Sequence, residues 1–100
     1  MVSPFVVYGR RYVLSFGDLA WVRNARTAHW GLLSRGRRET RVRLIEIEAP
    51  ESAPIVREFP VQIPAGARFF IRPGLVAPPA GPDQFEAAAG KLALFRLDPD

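Results

Sequence analysis

The stretch with the most chemical content is Ser15-Phe16-Gly17-Asp18-Leu19-Ala20-Trp21-Val22-Arg23-Asn24. A β-prone run ends there in a glycine loop and enters a helix. The free backbone N–H groups and the dipole of a helix N-terminus favour an anion or a polarised carbonyl. Trp21, in the first helical turn, either walls a planar ring or packs on the core, and the sequence leaves both readings open. A second group is the arginine cluster Arg35, Arg37, Arg38, Arg41 and Arg43. It reads either as a receiver of phosphates or as the solvated face of a hairpin, where arginine also discourages edge-to-edge pairing. His29 stands alone beside Trp30 in an expected strand and reads as structural. No general acid or base is evident.

These groups must be positioned by short elements. Phe5-Val6-Val7-Tyr8 and Arg11 to Phe16 are β-prone runs joined at Gly9-Arg10, a hairpin signature. Asp18 is an N-cap candidate for a helix over Leu19 to Thr27, with Leu19, Val22 and Arg26 near one stripe and Trp21 and Ala25 beside it. His29 to Leu33 reads as a strand, Ser34 to Arg37 as a turn, and Arg38 to Glu48 as a long strand. Within that strand the apolar phase slips from Val42 and Leu44 to Ile45 and Ile47, which predicts a β-bulge near Leu44-Ile45. A second helix opens at Pro50-Glu51 with the stripe Ile55, Val56 and Phe59, and Pro60 and Pro64 stop or kink it. Residues 73–83 form a Pro/Gly loop, Gln84 to Ala89 a helical turn, and Lys91 to Leu97 a closing strand. The expected fold is α+β, a small antiparallel split β-barrel with two or three short helices.

Composition narrows the function classes. The chain has 100 residues, enough for one domain over residues 1–100, and 48% are apolar, so it is not disordered by composition. With no cysteine and one histidine, disulfides, thiolate metal sites and a cysteine nucleophile are excluded, and no metal site is expected. No Gly-rich phosphate loop or other generic catalytic motif is found. No apolar run approaches the roughly 18 residues of a membrane span, and Met1 to Arg11 lacks a secretory pattern. A cytoplasmic chain without an integral membrane segment is expected. Charge is uneven: residues 1–50 carry nine arginines against four acids, residues 51–100 five bases against six acids. The N-terminal half reads either as a receiver of an anion, nucleic acid or a phosphorylated cofactor, since arginine forks match phosphate and carboxylate, or as the arginine bias of a GC-rich genome.

The run Ala20-Trp21-Val22-Arg23-Asn24, after a strand and a glycine loop, resembles the Trp-x-x-Asn segment of the deazaflavin-dependent nitroreductase family. Arg35-Gly36-Arg37-Arg38 is similar to the family's glycine hairpin, and Ala53-Pro54-Ile55-Val56-Arg57-Glu58 to its Ala-Pro-x-x-Arg helix. Arg68-Phe69-Phe70 and Leu94-Phe95-Arg96-Leu97 also fit, so the resemblance runs from Val2 to Leu97. It implies a split β-barrel, coenzyme F-420 (a phosphorylated deazaflavin) or FMN as cofactor, and hydride transfer to a quinone, nitro compound or activated alkene as a small-molecule electron acceptor. It also implies a cofactor site at Ser15, Gly17, Asp18, Ala20, Trp21, Arg23 and Asn24, with the Ser15 to Ala20 loop at the ring edge and the arginines toward the anionic tail.

The family's preceding strands and Gly-Arg-x-Ser-Gly phosphate loop, the N-terminal third of its pattern, have no counterpart from Met1 onward. Two further expectations follow. One is a homodimer covering an exposed edge at Phe5 to Tyr8. The other is a non-catalytic binding or dimerisation module without cofactor, as the alternative to the enzyme. A basic nucleic-acid-binding barrel is the least favoured reading, because few aromatics interleave with the arginine cluster.

Overall fold

A computed structural model describes residues 4–16 and 19–99, with the side chains of Phe16 and Arg35 left aside. Five strands form one antiparallel sheet in the order β1-β2-β5-β4-β3, with β1 Phe5–Val7, β2 Arg10–Phe16, β3 Trp30–Arg35, β4 Arg38–Ile47 and β5 Leu92–Pro99. The sheet does not close, and β1 and β3 are its edges. With the short helices around it, this is the expected α+β split barrel.

Both hairpins turn in two residues. In the first, Tyr8 and Gly9 are the loop, at φ 51 and 76, so the turn falls one residue earlier than Gly9-Arg10. Two left-handed positions in succession match the twist of the flanking strands. In the second, Gly36 at φ 60 precedes Arg37, and Arg35 pairs directly with Arg38. Glycine takes the positive φ there without a steric cost.

The sheet is covered on both faces, so its central strand β5 is apolar at both parities. Ala93, Phe95 and Leu97 join Val13, Val42 and Leu44 beneath α1 (Ala20–Ala28). Leu94 joins Phe5, Val7, Tyr12 and Leu14 on the other face, under the helices of the second half of the chain, with Leu92 and Ile47 packed against that cluster. This two-sided cover replaces the expected bulge. β4 keeps one unbroken register with β5, from Val42↔Pro99 to Ile47↔Leu94, and another with β3. The apolar phase changes because cover changes sides: Val42 and Leu44 lie beneath α1, and Ile47 beneath the opposite layer.

The second predicted helix is instead three four-residue helices: α2 Ala53–Val56, α3 Phe59–Gln62 and α4 Pro64–Ala67, followed by a 3-10 turn at Arg68–Phe70. Each helix has a proline in its first turn, at Pro54, Pro60 and Pro64. Proline lacks the N–H that a helix interior needs but that a first turn does not use, so each one restarts the helix. α5 Pro82–Ala87 supplies Phe85, fully buried. Phe59 is the hub of this layer, with ring centroids 5.4 Å from Phe5, 5.5 Å from Phe70 and 5.5 Å from Phe85.

The edge expected to lie open at Phe5 to Tyr8 is sealed. The Gln62 side-chain oxygen accepts from the Val6 N–H at 3.0 Å, and its NH2 donates to the Val6 C=O. One amide side chain thus takes the place of a neighbouring strand, so β1 needs no partner subunit to satisfy it.

Candidate functional site

α1 is tied to the sheet at its C-terminal end. At its start the Leu19 C=O accepts from the Val22 and Arg23 N–H groups, and no described side chain caps it. The expected cap, Asp18, lies outside the described residues. At its end His29 takes the left-handed conformation, φ 63, and donates its N–H to the Ala25 C=O at 2.8 Å. His29 is therefore the helix cap and not a strand residue. Its own C=O accepts from the Leu44 N–H at 2.9 Å, which ties the cap to β4. On the flank, the Arg26 guanidinium grips Glu46 of β4 with Nε–Oε1 at 2.9 Å and Nη2–Oε2 at 2.7 Å. The paired carboxylate holds the Arg26 guanidinium above its ordinary pKa.

Along α1 Val22 and Ala25 are buried on the sheet, and Trp21 leans on Phe95 with ring centroids 5.8 Å apart. The helix leaves the outer strands incompletely covered. A cavity of about 390 Å³ opens there, lined by Trp21, Asn24, Ala25 and Ala28 of α1, by Val13, Val42, Leu44 and Leu97 of the sheet, and by edge-strand residues Trp30 to Leu33. That volume lies at the small end of the roughly 300–1,000 Å³ range of ligand pockets. Among the described residues the lining has no ionisable side chain, and Asn24 is its one amide.

The predicted site residues divide. Trp21 and Asn24 meet at the cavity. Ser15 is buried opposite Ala93 on the α1 face of the sheet, under the helix and not in the lining. Ala20 and Arg23 are exposed on α1, and neither lines the cavity. Gly17 and Asp18, which carry the anion-loop expectation, lie outside the described residues.

The arginine hairpin does not act as one cluster. By register, Arg38 is on the α1 face, whereas Arg41 and Arg43 are on the opposite one, where the Arg41 guanidinium stacks 4.3 Å from the Trp30 ring centroid. Sequence reasoning missed Leu33, Val42 and Leu44 as cavity walls. Gly31 was the available signal, because a glycine inside a strand marks close approach or missing side-chain volume. A Cβ there would stand 3.1 Å from Leu44 Cδ1.

No family model, no curated protein and no solved structure matches the chain. Among the described residues no group of His, Cys, Asp or Glu could hold a metal ion, and no helix is long and apolar enough to cross a membrane.

Proposed function

We propose that the chain is a deazaflavin-dependent oxidoreductase-like protein that holds the ring of its cofactor in the cavity between α1 and the β3–β4 hairpin. The carrying observation is the cavity itself: apolar walls of ring-sized volume, with Trp21 on one side and a single amide, Asn24, beside it. Apolar walls suit the faces of a fused ring, and a few placed polar groups suit its edge. Trp21, Leu33, Val42 and Leu44 would take the ring faces, and Asn24 a polar edge group. Arg38, exposed on the same side of the sheet, is available to an anionic tail. A reduced deazaflavin, when bound, supplies a hydride to a quinone, nitro compound or activated alkene. The chain's own part is to orient the ring and exclude water.

A fluorescence titration with coenzyme F-420, with FMN as the control, tests this. Saturable binding is expected, and it is expected to be lost in Trp21→Ala while the far-UV circular dichroism is kept. Absence of saturable binding by either cofactor overturns the cofactor assignment. The lining, without an acid or base among the described residues, also favours a second reading, a non-catalytic binding module on the same fold. Bound reduced coenzyme that fails to turn over any quinone or nitro acceptor would select it.

A further inference from the structure

The two edges of the sheet are finished differently. At β1 the Gln62 amide occupies both backbone groups of Val6. At β3 nothing does the same among the described residues. In a hairpin with a two-residue loop, the flanking pair Arg35 and Arg38 is hydrogen-bonded, and the alternation carries inward bonding back through Leu33, Gly31 and His29. The bond from the Leu44 N–H to the His29 C=O has the phase this requires. The N–H and C=O groups of Trp30, Leu32 and Ser34 therefore point away from β4, and no described residue bonds them.

Between Trp30 and Ser34 the strand has no proline and no charged residue, its register is unbroken, and its one charge, Arg35, stands at the turn end. Trp30 and Leu32 are 41% and 57% exposed.

We propose that β3 pairs antiparallel with β3 of a second copy, about a two-fold axis through Leu32, joining two sheets into one. The strand is complementary to itself in that register. Leu32 exchanges both hydrogen bonds with the partner's Leu32, and Trp30 does so with the partner's Ser34. Every outward N–H then meets an outward C=O, whereas moving the axis to Gly31 or Leu33 leaves one outward pair unbonded. Large side chains meet small ones: Trp30 lies beside the partner's Ser34, and Gly31 beside the partner's Leu33. The second pairing falls on the α1 face, at the rim of the cavity that Gly31 and Leu33 line.

Charge leaves the register open. Trp30 pairs with Arg43 and Ser34 with Glu39 inside each hairpin, so each cross-sheet row ends in Arg43 on one copy and Glu39 on the other, three strand spacings apart. Arg41, beside Leu32, stands three strand spacings from its own copy, about 14 Å, beyond the ~8 Å screening length at physiological salt.

Sedimentation velocity over a micromolar concentration series reads the outcome. The wild-type chain is expected to be a monomer–dimer system. Leu32→Lys and Leu32→Glu each place like charges on the axis, and each is expected to abolish the dimer with the thermal melt of the monomer retained. Mixing the two variants is expected to restore a dimer, which a fold defect cannot do. Val6→Lys, on the sealed edge, is expected to leave the dimer intact. A wild-type monomer at all concentrations, a larger closed oligomer, persistence of the dimer in Leu32→Lys, failure of the mixture to associate, or loss in Val6→Lys alone would each overturn the proposal. None of these readouts depends on the cofactor, so the dimer and the cavity ligand stand or fall separately.

Discussion

Replacing Gln62 tests how the fold protects its first strand. β1 is three residues long and pairs only with β2, through Phe5↔Tyr12, Val6↔Arg11 and Val7↔Arg10. Phe5 and Val7 are buried and anchor the strand by their side chains. Val6 is half exposed, and its outward N–H and C=O are held by the Gln62 amide. Gln62→Ala removes both hydrogen bonds. A typical bond contributes about 0.5–1.5 kcal/mol net, and exposure lets water replace part of it, so about 1–2 kcal/mol in all is expected. For a chain of this length each kcal/mol lowers Tm by roughly 4–8 °C.

Thermal and urea unfolding followed by far-UV circular dichroism measure the loss, and sedimentation reads any new self-association through the uncovered strand. Gln62→Glu sharpens the test. A carboxylate still accepts from the Val6 N–H but repels the Val6 C=O, so at neutral pH it is expected to be worse than alanine. Acidification protonates the carboxyl, restores the donor and is expected to recover part of the loss. A Tm within a degree of wild type for Gln62→Ala would refute the reasoning, and so would a Glu variant equal to wild type at neutral pH.

Two further outcomes follow from the packing and the charges. Phe85→Ala deletes a fully buried ring that meets Phe59 and Phe70 at 5.5 and 5.4 Å, and chemical denaturation is expected to show a loss of about 3–5 kcal/mol. A loss under about 1 kcal/mol would mean that the multi-helix layer is not part of the cooperative core. The Asp98 carboxyl is held below its ordinary pKa, first by the forked hydrogen bonds from Arg96 at 2.9 and 3.0 Å and then by the charges of Arg96, Arg10 and Arg43, against opposing desolvation. A group whose folded pKa is depressed stabilises above its unfolded pKa, and that contribution is lost as pH falls through the folded value. Asp98→Asn is therefore expected to flatten the acid limb of a stability-against-pH curve below about pH 4, and an unchanged limb would count against the pairing.

Local chemistry made much of this fold legible. Hairpin turns announce themselves by glycine, strands by β-branched and aromatic runs, and the short α1 by its spacing of Leu19, Val22, Ala25 and Arg26. The closing strand, expected over Lys91 to Leu97, is present as β5, and its cover on both faces came from the packing. Trp21 and Asn24 are singled out by the resemblance of Ala20-Trp21-Val22-Arg23-Asn24 to a Trp-x-x-Asn segment, and both line the cavity.

What the sequence could not settle were choices between equivalent local patterns. The phase change at Leu44-Ile45 reads equally as a bulge or as a change of covered face. Only the packing of α1 on one side and of the proline-started helices on the other decided it. His29 suits a strand or a left-handed cap, and its φ of 63 with its N–H donated to the Ala25 C=O selected the cap. The cavity walls Leu33, Val42 and Leu44 are ordinary core residues in sequence. They become a site because a cavity remains between α1 and the β3–β4 hairpin, which these residues line. The fate of the edges lay furthest from view. A glutamine 56 positions away seals β1, and no local pattern encodes a contact of that range. Periodicity records which residues seek burial, whereas the partner that buries or bonds each one is set by how the chain returns on itself.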